Sequence, residues 1–134
     1  MKYSYILLLL FVSVVLVNGC SKKSTTPDPP PPPPPPTVQG CAANATPAAN
    51  SFVTNTSVTL SWSAVTAATG YDVYFGTTST PTTTIATNVA ATNYSHTIPA
   101  TANATYYWYI QPKNATGSAT GCATSVTSFT YITI

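Results

Sequence analysis

The side chains able to do chemistry in this chain are few. There are three cysteines, Cys20, Cys41 and Cys122, one histidine, His96, two acids, Asp28 and Asp72, and four lysines, Lys2, Lys22, Lys23 and Lys113. Thiols can be acylated, oxidised to a disulfide or used as metal ligands, and carboxylates and imidazole do acid–base work when they meet. Beyond residue 40 the chain holds one acid, one histidine and one lysine. Asp72 alternates with Tyr71 and Val73, so its side chain is expected to point outward. His96, in Tyr94-Ser95-His96-Thr97-Ile98, has no second histidine or carboxylate at a ligand-like spacing and reads as a packed or surface residue. Count alone permits a Ser-His-Asp set, but no motif brings its members together. Paired carboxylates, a metal-ligand cluster and a glycine-rich phosphate loop are all missing from the pattern. The chain therefore reads as non-enzymatic, with no cofactor and no metal. The net charge of +2 comes from the N-terminal lysines. No basic patch is present to hold phosphates, so no nucleic-acid partner is expected. Five Asn-x-Ser/Thr sequons begin at Asn44, Asn55, Asn93, Asn103 and Asn114. In a Thr- and Asn-rich chain they arise by composition, and no role is assigned to them.

The setting of Cys20 gives its thiol a purpose. Lys2 provides a positive start, and Ile6 to Val17 is apolar apart from Ser13. Twelve residues rise only ~18 Å as a helix, whereas a bilayer core needs ~30 Å. The run therefore reads as the apolar region of a secretory signal rather than a permanent span. Val17-Asn18-Gly19-Cys20 then resembles the lipobox of bacterial lipoproteins: an aliphatic residue three before the cysteine and a small residue one before it. Asn18 stands where a small residue is commoner. The resemblance implies cleavage before Cys20, a diacylglycerol on its sulfur and acylation of the new amino group. Two or three acyl chains anchor lastingly where one does not. Ser21, rather than Asp, follows the cysteine. By analogy with Gram-negative lipoprotein sorting, this implies the bacterial outer membrane, with the domain on its cell-surface or periplasmic face. The alternative is a plain signal peptide with an incidental cysteine.

A spacer follows. Pro29 to Pro36 are eight consecutive prolines. Proline fixes φ and lacks an N–H, so the run adopts polyproline II, a stiff rod of about 25 Å. It reads as a device that holds a domain off a membrane. The other use of such a run, as a ligand for an SH3-like groove, is the alternative.

Residues 1–19 and 20–39 cannot build a core, which leaves about 95 residues, 40–134, for one small domain. Short alternating runs rich in Thr, Val, Tyr and Ile are separated by Gly, Pro and Asn, the signature of an antiparallel sandwich. Val58, Leu60 and Trp62 fall on one face of the first clear run. Tyr71, Val73 and Phe75 do so in Gly70–Gly76, and Tyr106, Trp108 and Ile110 in Thr105–Ile110. Weaker strands are expected at Thr83–Asn88, Thr92–Ile98 and Ser125–Ile132.

The pieces LSW (60–62), GYDVYFG (70–76) and TYYWYIQPKNATG (105–117) resemble, in that order, the second, third and sixth strands of the fibronectin type III family. Their wording is similar to domains of secreted and cell-surface proteins in Bacteroidetes-type bacteria. The resemblance covers about residues 41–132 and implies an all-β, immunoglobulin-like sandwich of about seven strands. It places Tyr106 at the tyrosine corner of the sixth strand. The family usually has leucine six residues before that tyrosine. Ala100 stands there, with Ile98 two residues further back, so the preceding turn is expected to be longer.

The same resemblance makes the first and last strands neighbours, with Cys41 at the start of one and Cys122 near the start of the other. If Cys20 carries lipid, these two remain, and export permits oxidation. A Cys41–Cys122 disulfide is expected, worth roughly 4–5 kcal/mol in the chain-entropy model. The alternative is two separately buried thiols. Alternation sends Tyr74, Tyr107 and Tyr109 to the face opposite the core. There they form either cross-strand packing or an exposed patch suited to sugar rings or a protein partner. As an exposed patch, all three are expected to tolerate serine without loss of the fold. The leading expectation is a lipid-anchored envelope protein presenting one module for adhesion or protein–protein contact. A carbohydrate-binding surface lipoprotein is the alternative. The partners expected are a membrane, through the lipid, and an envelope protein or glycan.

Overall fold

The computed structural model describes residues 28–43, 46–101 and 103–134. The expected signal segment and Cys20 lie outside them. Eight strands form: β1 (Ser51–Val53), β2 (Ser57–Ser61), β3 (Gly70–Gly76), β4 (Thr84–Val89), β5 (Asn93–Thr97), β6 (Ala104–Asn114), β7 (Gly117–Ser118) and β8 (Thr127–Tyr131). The larger sheet has the order β1-β8-β6-β3-β4, with β7 added to β6, and β2 pairs with β5 in the other. This is an immunoglobulin-like sandwich. The three weaker strands appear as β4, β5 and β8, each within a few residues of its expected bounds. The eighth strand beyond the expected seven is the two-residue β7, which closes a hairpin on β6.

All pairings are antiparallel but one: β1 runs parallel to β8. The chain reaches β1 from the other sheet. Thr46 exchanges two backbone hydrogen bonds with Ser61, both 2.8 Å, at the end of β2. Five residues later Ser51 starts the pairing with β8. The N-terminal edge is thus shared between both sheets, and no long unpaired strand is left on that side.

The core follows the period-2 pattern. Val58, Leu60 and Trp62 from one sheet meet Tyr71, Val73, Phe75, Tyr106, Trp108, Ile110, Phe129 and Tyr131 from the other, all buried. Aromatic rings interlock across it: Trp62 lies edge-on to Tyr71 at 5.5 Å, and Phe75 stacks on Tyr106 at 5.3 Å. The outer face of β2 and β5 is uncharged. Ser57, Thr59 and Ser61 stand opposite Thr97, Ser95 and Asn93, and the hydroxyls of Thr59 and Ser95 lie 3.1 Å apart.

The Tyr106 hydroxyl donates to Pro99 O at 3.3 Å, so Tyr106 ties the turn before β6 to its own strand as a tyrosine corner does. Ile98 is buried at that turn while Ala100 is exposed. The apolar plug has therefore moved two residues back, in keeping with the longer turn expected from the sequence.

Candidate functional site

Strands β3 and β6 fix the three tyrosines. Their register sets Tyr74 directly opposite Tyr109, and Tyr107 opposite Gly76. The Tyr74 and Tyr109 rings stack with centroids 4.5 Å apart and planes within 4°. All three side chains leave the sheet on the face away from the main core, as alternation requires. They do not form an open patch. Tyr109 is only 8% exposed, and Tyr74 and Tyr107 are half-buried. Of the two arrangements the sequence left open, Tyr74 and Tyr109 show cross-strand packing, and two non-strand segments cover Tyr109. Tyr109 packs with buried Ala119 and Cys122, bordered by Val38, Cys41, Tyr74 and Val126. Burial, with the Tyr74 phenol nearby, raises the Tyr109 pKa above the usual tyrosine value.

The roof over Tyr109 is held covalently. Cys41 and Cys122 form a disulfide with Cα atoms 5.3 Å apart. Each cysteine follows a glycine in the left-handed region, Gly40 and Gly121, both at φ 78°. A Cβ is disfavoured there, and the glycines let the two segments turn onto the sheet. Cys122 opens a 3-10 turn, Cys122–Thr124, rather than lying in β8, and Cys41 precedes β1 by ten residues. The pairing therefore joins two loops beside the strands instead of the strand ends themselves.

Hydrogen bonds complete the roof. Asn114 Nδ2 donates to Pro36 O and to Ala67 O, each at 2.8 Å. Gln39 N donates to Thr66 O at 3.4 Å. The Gln111 side-chain amide donates to Ala119 O, and Ala119 N donates to Pro112 O at 2.9 Å. The compact unit accordingly spans Pro33–Ile134 and begins before Gly40, where composition alone placed its start. Val38 and Asn114 were not singled out by sequence reasoning. Asn114 drew notice only as a sequon, and Val38 is one apolar residue in a polar stretch.

Among the described residues, Asp72 with Lys113 and His96 by itself are held in separate places. Asp72 leaves the outer face of β3 as expected, but it is part-buried, 2.7 Å from Lys113 Nζ, and accepts Asn88 N at 2.9 Å. The pair is worth about 1 kcal/mol or less and cancels the charge of the outer face. His96 packs edge-on against Phe75 with ring centroids 4.8 Å apart, and burial lowers its pKa below the ordinary value. Among the described residues no three of His, Cys, Asp and Glu cluster together.

No protein-family model and no curated protein matches the chain. Solved structures do share its shape. A protein described as Fn3-like, from Clostridium thermocellum, aligns with a TM-score of 0.52 at 25% identity, covering 75% of this chain and 96% of that one. A second, described as FN3tt mut, aligns with a TM-score of 0.50 at 19% identity, covering 72% of this chain and 97% of that one. The domain is fibronectin type III-like. Such a fold suggests a protein-interaction module, and the order of its strands agrees with the placement of LSW, GYDVYFG and TYYWYIQ on β2, β3 and β6.

Two outcomes follow from this site. Tyr109→Ser is expected to cost about 3 kcal/mol in urea unfolding, since it empties the small outer core. Tyr107→Ser is expected to cost no more than about 1 kcal/mol, the scale of a cross-strand contact. Serine at all three tyrosines together is thus expected to destabilise the fold; retention of the native unfolding midpoint would instead match an exposed patch. The second concerns pH. The folded protein holds His96 below its unfolded pKa, so it binds fewer protons than the unfolded chain as pH falls through about 6.5. Stability is expected to be full above that value and to decline below it. Because His96 is the only histidine, His96→Gln should flatten the profile between pH 5 and 7 when midpoints are measured by thermal unfolding.

Proposed function

We propose that this chain is a non-enzymatic, lipid-anchored envelope protein that presents its fibronectin type III-like module for protein–protein contact, with adhesion as the role. The observation that carries the reading is the fate of the three cysteines. Cys41 and Cys122 pair with each other. Cys20 is left over, at the end of an apolar run, in the context Val17-Asn18-Gly19-Cys20. An odd cysteine in an exported chain needs a separate use, and S-acylation supplies one. The proline run then acts as a spacer between membrane and module. The fold supports the interaction half of the reading. Phe52, on edge strand β1, is a large apolar side chain left 69% exposed, and it lines an open, largely polar cleft of about 300 Å³ together with Thr54, Asn55, Ser57 and Thr59. It offers a partner protein an aromatic anchor of the kind found at interface centres. The carbohydrate alternative loses its main support, because Tyr109 is covered.

Cell fractionation and surface proteolysis test the proposal together. The native chain is expected in the membrane fraction, and a protease added to intact cells should remove the domain. Cys20→Ala is expected to shift the protein to the soluble fraction. Membrane retention of Cys20→Ala contradicts lipid anchoring. Protection in intact cells, with cleavage after lysis, contradicts adhesion and favours a periplasm-facing scaffold.

A further inference from the structure

The smaller sheet ends in an open strand. Among the described residues β5 has β2 as its neighbour on one side and no strand on the other. Backbone bonds fix which groups face that open side. Trp62 N donates to Thr92 O, and Ile98 N to Thr56 O. Bonded and non-bonded pairs alternate along an antiparallel ladder, so Tyr94 and His96 bond with Leu60 and Val58. The N–H and C=O groups of Asn93, Ser95 and Thr97 therefore point away from β2. Their side chains are exposed on the outer face, which carries no charge. The edges of the other sheet are blunted. β4 has two register shifts and a left-handed residue, Asn88 at φ 55°, and β1 has three residues. β5 runs for five residues in unbroken register, with no proline, lysine or bulge. Such an edge is a template for another strand.

We propose that the β5 edge binds the same edge of a second copy of this chain, antiparallel about a two-fold axis at Ser95. The strand's own sequence selects that occupant. Asn93-Tyr94-Ser95-His96-Thr97 reads polar, aromatic, serine, aromatic, polar in either direction. Centred on Ser95, the pairing sets Asn93 against Thr97 of the second copy and the two serines against each other. These are the residues whose backbone groups face outward, so each opposed pair exchanges both N–H···O bonds. On the outer face an amide meets a hydroxyl and a hydroxyl meets a hydroxyl. Thr59 and Ser95 already make the second kind of contact within the sheet, at 3.1 Å. On the inner face Tyr94 meets His96 of the second copy, and both rings are half-buried in the single chain. A slip of one residue sets polar against aromatic side chains, and a slip of two shortens the ladder. The two-fold axis closes the contact, so association stops at a dimer. No residue of β5 lines the cleft beside Phe52, so the two surfaces are separate. The pairing needs neither the lipid nor Phe52.

The test is sedimentation equilibrium of the compact unit, Pro33–Ile134. A five-residue strand contact is small for an interface, so the range runs from about 1 μM to about 1 mM. A monomer–dimer equilibrium is expected, with no larger species. Ser95→Lys sets two ammonium groups opposite one another from an exposed position. It is expected to weaken the dimer at least about tenfold, with circular dichroism showing an intact fold. Ser95→Glu is expected to do the same. An equimolar mixture of the two variants is expected to recover dimers, because opposite charges then meet across the axis. Phe52→Ser is expected to leave dimerisation unchanged. A native chain that stays monomeric throughout that range overturns the proposal. So does a Ser95→Lys dimer as tight as the native one, or a mixture of the two charged variants that stays monomeric. Loss of the dimer in Phe52→Ser, with Ser95→Lys unaffected, would assign self-association to β1 and overturn it too. Because Pro33–Ile134 carries neither Cys20 nor lipid, failure of anchoring leaves these outcomes unaltered, and failure of the pairing leaves the anchoring experiment unaltered.

Discussion

A single covalent link governs the outer half of this molecule. Cys41 ends the segment that comes from the proline run, and Cys122 opens the turn that leads to β8; their disulfide closes a loop with a sequence separation of 81. In the chain-entropy account such a loop is worth about 4–5 kcal/mol, a large share of the stability of a domain of this size. Its structural effect is as large. Neither segment belongs to a strand at the point of linkage. Joined, they bring Val38, Cys41, Ala119 and Cys122 over Tyr109 and build a second small core on the outer face of β6 and β3. The tyrosine pair is the floor of that core.

The main core needs no such help. Twelve buried side chains close the sandwich, and the aromatic rings among them bury the area that a small domain requires. Among the described residues outside it, charged side chains are few. Asp72 and Lys113 neutralise one another, and the outer face of β2 and β5 is made of Ser, Thr and Asn. At the β1 edge Phe52 is left 69% exposed.

The sequence made the inner architecture legible because period 2 leaves a direct record. Val58, Leu60 and Trp62, then Tyr71, Val73 and Phe75, then Tyr106, Trp108 and Ile110, all point where alternation places them. Alternation names a face but not what lies on it. It sent Tyr109 outward correctly and gave no sign that the segments around Val38 and Ala119 would cover it. Those segments are irregular, so no periodicity marks them. Their signals are two Gly-Cys pairs and an asparagine whose amide bridges Pro36 and Ala67, and each gains meaning only once the chain is folded. The start of the compact unit was hidden for the same reason. Polyproline composition shows stiffness, whereas the docking of its end depends on one side chain 78 residues away.

The central claim is that the disulfide roof, rather than the strands, decides the accessibility of Tyr109. Nitration of the folded protein, mapped by mass spectrometry before and after reduction, tests this most directly. In the oxidised protein Tyr107 should be modified readily and Tyr109 spared; after gentle reduction under native conditions Tyr109 should become reactive while core residue Tyr106 stays protected. Equal modification of Tyr107 and Tyr109 in the oxidised protein would contradict the account.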